Sequence, residues 1–144
     1  MIEKLVGHVT RREGRKFLRL NNEINEPLIL KKPLPQDPGI SLYVHIPFCR
    51  TLCPFCCFNR YLFKEDLARD YFVHLKKELS LYIDRGYRFS HFYFGGGTPT
   101  ILMDELSGFI DYLRDKCDVQ QISLETTARE ITEGNIAQLK AAGI

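Results

Sequence analysis

From Ile40 onward, hydrophobic and polar positions switch between a period of two and helical spacing. Ile40-Ser41-Leu42-Tyr43-Val44-His45-Ile46 alternates, placing Leu42, Val44 and Ile46 on one face of a strand and Tyr43 and His45 on the other. Between Glu65 and Arg85, residues Leu67, Tyr71, Leu75, Leu79 and Tyr82 recur at spacings of three and four, which predicts a helix stopped by Gly86. Phe89 to Phe94 is aromatic and nearly continuous, as expected of a strand covered on both faces. Leu106, Phe109, Ile110 and Leu113 mark a second helix, and Gln121 to Glu125 a third strand. Thr127 to Glu130 has capping-box spacing and Thr132 is a second N-cap candidate, so a third helix should run through Ile136 and Leu139 toward Gly143.

Strand, helix, strand, helix, strand, helix predicts right-handed parallel crossovers and an α/β fold. Three parallel strands cannot close a barrel, and a complete (β/α) barrel needs about 200 residues or more. The expectation is the N-terminal part of a parallel (β/α) partial TIM-type barrel, carried on a piece of a longer protein.

The first forty residues follow another pattern. Val6 to Thr10 and Lys16 to Leu20 flank Arg11-Arg12-Glu13-Gly14-Arg15, which suggests a hairpin turning at Gly14. Three prolines in Pro33-Leu34-Pro35-Gln36-Asp37-Pro38-Gly39 then forbid a helix. They divide a β-rich extension, 1–39, from the α/β part, 40–144. Arg11, Arg12, Arg15, Lys16 and Arg19 read as a solvated hairpin face before a phosphate-binding patch.

Composition narrows the classes. With 144 residues, 44% hydrophobic and 26% charged, the chain is expected to be globular, which argues against disordered and coiled-coil classes. A net charge of +2 is too small to argue for nucleic acid or an anionic membrane. No apolar run approaches the roughly 18 residues of a spanning helix, and Met1-Ile2-Glu3-Lys4 lacks a secretory apolar stretch, so the expected location is cytoplasmic.

That expectation bears on the five cysteines. Four of them, Cys49, Cys53, Cys56 and Cys57, fall within nine residues, and Cys117 stands apart. The odd number in a reducing compartment favours a metal or redox centre over disulfides. Cys49-Arg50-Thr51-Leu52-Cys53-Pro54-Phe55-Cys56 is CxxxCxxC, directly after the first strand. Three thiolates so spaced suit three corners of a cubane cluster and leave the fourth iron open to a small molecule. Zinc competes for the same residues, with Cys57, Cys117 or a histidine as fourth ligand.

Two further features lie on the same rim. Phe94-Gly95-Gly96-Gly97-Thr98-Pro99 follows the second strand, and three missing Cβ atoms let backbone groups approach a charged ligand. Glu125 ends the third strand, where a carboxylate can accept from a ribose or an ammonium group. Phe48, Phe55 and Phe58 flank the cysteines, either shielding a cluster or simply anchoring the loop. His45 reads as structural, able to orient the cysteine loop by hydrogen bonding; His91 as packed; His8 and His74 as surface residues; Cys117 as a small buried hydrophobe.

Taken together, Tyr43-Val44-His45-Ile46-Pro47-Phe48-Cys49, the CxxxCxxC run, Phe58-Asn59, Gly95-Gly96-Gly97-Thr98-Pro99-Thr100 and Glu125 resemble the radical S-adenosylmethionine superfamily. Within it the chain is similar to the oxygen-independent coproporphyrinogen III oxidase and haem chaperone family, over about Ile40 to Ile144. The resemblance implies a 4Fe-4S cluster on Cys49, Cys53 and Cys56, with the open iron chelated by S-adenosylmethionine. It implies one-electron cleavage of the sulfonium to a 5′-deoxyadenosyl radical, fed by a donor of the flavodoxin or ferredoxin type. Contacts to S-adenosylmethionine carry over to Tyr43, Phe55, Gly96, Gly97, Thr98 and Glu125, the glycine-rich loop receiving the methionine ammonium. The implied substrate is a small molecule, a porphyrinogen or haem.

The chain departs from the oxidase pattern at two places. The extra cysteine is Cys57, and Phe58 stands where the true oxidases have cysteine, which is closer to the haem chaperone branch. Thr126-Thr127-Ala128 replaces the usual acidic or amide residue and proline after Glu125. A haem-binding chaperone on the same scaffold and a non-enzymatic zinc module are the alternative readings.

Overall fold

The structure, a computed structural model, describes residues 39–144. The N-terminal hairpin, its basic cluster, His8 and the prolines at 33–38 lie outside the described residues.

The described elements follow the predicted order. Strand β1 (Ile40–Ile46) leads into the two-residue strand β2 (Phe48–Cys49), and β3 (Tyr61–Leu62) precedes helix α1 (Glu65–Asp84). Strand β4 (Phe89–Gly96) runs into a 3₁₀ turn (Pro99–Leu102) and helix α2 (Met103–Lys116). Strand β5 (Gln121–Leu124), a 3₁₀ turn (Ala128–Glu130) and helix α3 (Glu133–Ala141) complete the series. The main sheet has order β1-β4-β5, with both pairs parallel. Its register brings His45 opposite Gly95, Ile46 opposite Gly96 and Phe94 opposite Leu124, so the three chemistry-bearing segments leave the sheet at the same end.

The core lies between one sheet face and the helices. Val44 and Ile46 of β1 and Phe92 and Phe94 of β4 are buried there with Phe72 of α1 and Leu106, Phe109, Ile110 and Leu113 of α2. Phe94 meets Phe109 edge-on at 6.0 Å, and Phe72 meets the same ring at 6.2 Å. Each such buried ring stabilises the fold by about 2–3 kcal/mol relative to exposure. The four predicted apolar positions of α2 are all buried, joined by Met103 at its first residue. In α1 the buried residues are Ala68, Phe72 and Leu79, with Tyr71, Leu75 and Tyr82 at the margin, while Leu67 is half exposed. The stripe of five was displaced by about one residue because Ala68 and Phe72, one turn apart, share a flank with Leu75 and Leu79.

Two other expectations change. Strand β4 is covered on one face only: Phe92 and Phe94 are buried, whereas Tyr93 is 43% exposed and His91 is partly open, bonded at Nδ1 to the Ser90 hydroxyl at 2.8 Å. Tyr43 of β1 lies on that same open face and stacks on Tyr93 at 6.0 Å. Aromatic residues satisfy a strand on either face, so their continuity did not distinguish a covered face from an open one. Thr127, for its part, precedes a 3₁₀ turn and caps nothing with its side chain. Thr132 is the N-cap of α3, its Oγ1 accepting the Asn135 N–H at 3.1 Å. At the far end of α1, Gly86 takes φ +91°, the left-handed conformation expected of a helix stop.

Candidate functional site

The cysteine loop is closed at its base by β2 and β3. Tyr61 N–H donates to Pro47 O at 2.6 Å and Phe63 N–H to Cys49 O at 2.9 Å, so residues 49 to 61 leave and re-enter at one point. His45 ties down the far end. Its Nε2 lies 2.8 Å from Asn59 O, which can only accept, so Nε2 carries the proton and Nδ1 accepts from the Tyr43 hydroxyl at 2.9 Å. Within the loop, Cys56 N–H donates to Cys53 O at 3.3 Å. The Arg60 guanidinium spans that turn, donating from Nη2 to Cys53 O and from Nη1 to Cys56 O at 3.2 Å.

The glycine bend packs directly on this loop. A Cβ at Gly97 would stand 2.6 Å from Phe48 O, and one at Gly95 would stand 2.9 Å from the Tyr43 ring and 3.2 Å from Glu125 Oε2. Gly96 has φ +112°, and a Cβ there would meet the His45 ring at 2.7 Å. The fold itself therefore demands glycine at 96 and 97, while at Gly95 the neighbours are side-chain ends that can shift. The backbone donors are also in use: Gly97 N–H bonds Ile46 O and Thr98 N–H bonds Phe48 O, each at 2.8 Å. The Gly97 carbonyl has no hydrogen-bond partner among the described residues, so the bend presents an acceptor, which suits an ammonium group and not an anion.

Side chains join the three rim loops to one another. The buried Thr98 donates its hydroxyl to Cys49 Sγ at 3.8 Å. Arg50 Nε donates to Glu130 Oε1 at 2.8 Å and lies over the Phe63 ring, with the Glu130 carboxylate 8% exposed. Thr100 and Thr126 hydroxyls meet at 2.5 Å. On the open sheet face the Tyr93 hydroxyl donates to Glu125 Oε1 at 2.5 Å. That bond holds the Tyr93 phenol above its ordinary pKa, and burial together with the Glu125 charge does the same for Tyr43.

A cavity of about 620 Å³ opens between these loops. Cys49, Cys53, Cys56, Gly96, Gly97, Thr98 and Glu125 all line it, with Phe58, Arg50, Arg60 and Arg129 around them. Of the expected site residues, Tyr43 and Phe55 are not in that lining. Tyr43 stands behind Gly95, and Phe55 is 87% exposed between two cysteines. Cys57 is exposed and away from the cavity. Phe48 is a core residue packed edge-on against Tyr71, so of the three phenylalanines expected as shielding it is an anchor, and Phe55 and Phe58 are open to solvent. Cys117 sits apart at the end of α2, its thiol pushed up by burial, as expected of a small apolar residue.

The cavity can be tested against a cluster. All described cysteines are free thiols, and the three of CxxxCxxC face one space, a soft, sulfur-only donor set suited to iron-sulfur or zinc. Among the described residues no three His, Cys, Asp or Glu side chains are yet gathered to metal-holding distance. Cys53 is exposed and Cys56 partly exposed in the loop, while Cys49 is held in β2. The residues fit such a group, with loop closure as the remaining movement.

No local pattern singles out Arg60, and Arg50, Tyr93, Thr100, Thr126 and Glu130 figure in the sequence only as members of longer runs, with no role in the site. Their partners lie from 4 to 80 residues away, and only the register of the sheet, not any local spacing, brings most of them together.

Comparison with known proteins agrees with this geometry. The family model described as the Radical SAM superfamily matches residues 43–144. The oxygen-independent coproporphyrinogen III oxidase of Bradyrhizobium diazoefficiens is 32% identical over 119 residues, covering 77% of this chain and 26% of its own length. The heme chaperone HemW of Haemophilus influenzae is 29% identical over 122 residues, covering 77% of this chain and 32% of that protein. The structure of coproporphyrinogen III oxidase (HemN) from Escherichia coli, described as a radical SAM enzyme, superposes with a TM-score of 0.63 at 33% identity, covering 74% of this chain and 26% of that one. The chain thus spans about a quarter to a third of the length of these relatives. With a parallel α/β sheet, a CxxxCxxC loop and a triple-glycine bend at one end of it, and a family match over most of its length, the chain belongs to the radical SAM superfamily.

Proposed function

We propose that this chain holds a 4Fe-4S cluster on Cys49, Cys53 and Cys56 and binds S-adenosylmethionine beside it, as part of a protein of tetrapyrrole or haem metabolism. The observation that carries the reading is the single cavity lined by those three thiols together with Gly96, Gly97, Thr98 and Glu125, from which Cys57 is absent. When bound, the pair supplies one-electron cleavage of a sulfonium carbon–sulfur bond and hydrogen-atom abstraction from substrate. The chain's own residues orient the ligands. The Gly97 carbonyl accepts from the methionine ammonium. Glu125, fixed at Oε1 by Tyr93, keeps Oε2 for the ribose hydroxyls. Thr98 holds Cys49 through its hydroxyl, and Tyr43 and Phe55, which lie outside the cavity lining, would reach the ligand only from its rim. The electron comes from a flavodoxin- or ferredoxin-type donor, and the protein acts in the cytoplasm on a porphyrinogen.

A second reading, haem chaperoning, is favoured by the HemW similarity together with Phe58 standing two places after Cys56. Decarboxylation of a porphyrinogen by the longer protein supports the oxidase-like reading, whereas haem transfer to an apoprotein without substrate oxidation supports the chaperone.

Anaerobic reconstitution of the chain tests the cluster directly. Iron and sulfide should be incorporated together, with absorbance near about 400 nm that Cys49→Ala, Cys53→Ala and Cys56→Ala each abolish and Cys57→Ala retains. S-adenosylmethionine should perturb the reduced cluster's electron paramagnetic resonance spectrum. A colourless chain with stoichiometric zinc refutes the reading, and so does a cluster indifferent to the sulfonium compound.

A further inference from the structure

Arg60 is the residue whose chemistry the fold leaves unexplained. It is half-buried at the end of the cysteine loop, lines the cavity, and spends its donors on the backbone carbonyls of Cys53 and Cys56. Both partners are neutral. No carboxylate lies within ion-pair distance of Arg60 among the described residues, in contrast to Arg50, whose charge Glu130 neutralises. The Arg60 Nε is buried without a hydrogen-bond partner. A buried guanidinium nitrogen left unpaired costs free energy, so a structural clamp alone is an incomplete account of this side chain. An asparagine or glutamine could bridge carbonyls without importing a charge.

Three thiolates and a cubane supply what is missing. The cluster is anionic before reduction and more anionic after it, so a fixed cation beside it stabilises the reduced form by more than the oxidised one. Arginine is suited to this because it stays protonated at any working pH and its planar fork spans two acceptors at once. We propose that Arg60 is a positioning residue for Cys53 and Cys56 that also raises the reduction potential of the cluster they hold, easing its one-electron reduction by a flavodoxin- or ferredoxin-type donor. In that step the donor loses one electron, the cluster gains it, and no proton moves, since the guanidinium is already charged. The inference rests on the proposed function and adds to it a role for this chain's own arginine.

Two variants separate the charge from the fork. Arg60→Lys keeps the charge and loses the paired donors; Arg60→Gln keeps a donor and loses the charge. Each is reconstituted anaerobically in the full chain beside Lys77→Gln, a control at an exposed position of α1. Iron, sulfide and zinc are counted, iron loss to a chelator is timed, and the midpoint potential is read by titration followed by electron paramagnetic resonance. Arg60→Gln should lower the reduced-to-oxidised ratio at fixed ambient potential about tenfold, which is about 59 mV for a one-electron couple. Arg60→Lys should stay within about threefold of the parent ratio while losing iron to the chelator faster. If Arg60→Gln takes up no cluster while Arg60→Lys does, the pairing of charge with this position is supported. Parent-like potential and parent-like iron retention in Arg60→Gln overturn the proposal while leaving the cluster reading intact. Zinc without iron in the parent chain overturns both.

Discussion

Gly97→Ala isolates the claim that the glycine bend is dictated by packing. The added Cβ would stand 2.6 Å from Phe48 O and 2.9 Å from both Phe48 C and Phe48 N, all backbone atoms that no rotamer change can move. Relief requires β2 and the bend to separate by about 0.8 Å to reach the 3.4 Å at which ordinary contact begins. The hydrogen bond across this seam, from Thr98 N–H to Phe48 O, is 2.8 Å long and would stretch to about 3.6 Å, outside the bonding range. Losing it costs about 1 kcal/mol, and the residual overpacking adds about 1–3 kcal/mol, so the total is about 2–4 kcal/mol. Gly108→Ala is the internal control: nothing lies within 4 Å of a Cβ there, and Gly108 is inside α2. It should stabilise the chain by about 0.5–1 kcal/mol through helix propensity. Urea unfolding of the metal-free chain, followed by far-ultraviolet circular dichroism, reads both. An unfolding free energy of Gly97→Ala within about 1 kcal/mol of the parent would show that β2 and the bend are not in contact, and the site geometry built on that seam would go with it.

Two other predictions concern the core and the open face. Phe72→Ala removes a fully buried ring that meets Phe109 edge-on, and should cost about 3–5 kcal/mol in the same unfolding assay; a loss below about 1 kcal/mol would mean that α1 does not pack where described. Tyr43, Tyr71 and Tyr93 all have raised pKa values, Tyr43 and Tyr71 mainly through burial and Tyr93 mainly through its bond to Glu125. A raised phenol contributes stability that is fully present below the ordinary value of 10.0 and is lost as pH rises through the folded-state value. Absorbance near about 295 nm should therefore show a tyrosine fraction ionising late, with stability falling only above about pH 10, and Tyr93→Phe should remove one late step while preserving the stack on Tyr43. Simultaneous ionisation of every tyrosine in the folded chain would contradict the Tyr93–Glu125 bond.

What could be read in advance was whatever repeats locally. The four apolar positions of α2 are one helical face, so their spacing alone located them, and Thr132 was legible as a cap because a threonine hydroxyl bonds an amide only three residues on. Strands β2 and β3 were not legible: two residues make no period, and their pairing exists only because the cysteine loop returns to its starting point. Strand β4 was located, but Tyr93 suits a covered or an open face equally, and only the placement of the helices distinguishes them. The cysteines and glycines announced a site by their type. The side chains that brace it, Arg50 to Glu130 across 80 residues and Tyr93 to Glu125 across 32, are ordinary residues whose meaning is their partner.

The glycine bend shows why packing and function are not rival explanations here. Gly96 and Gly97 each have a steric reason that makes no reference to a ligand, and two consecutive amide donors are consumed by β1 and β2. Those same bonds fix the Gly97 carbonyl and press Thr98 against Cys49, so the fold orients an acceptor and a thiol before any ligand arrives. Rigidity is unevenly distributed as a result. Cys49 belongs to a strand locked to the bend, whereas Cys53 and Cys56 ride on an exposed turn held by Arg60 and, at its far end, by His45 through Asn59. For the proposed cluster, Cys53 and Cys56 would have to close onto Cys49, since the three thiols are not yet gathered to metal-holding distance. Displacing the seam between Phe48 and Gly97 would move the Cys49 thiol, which β2 carries, relative to the other two.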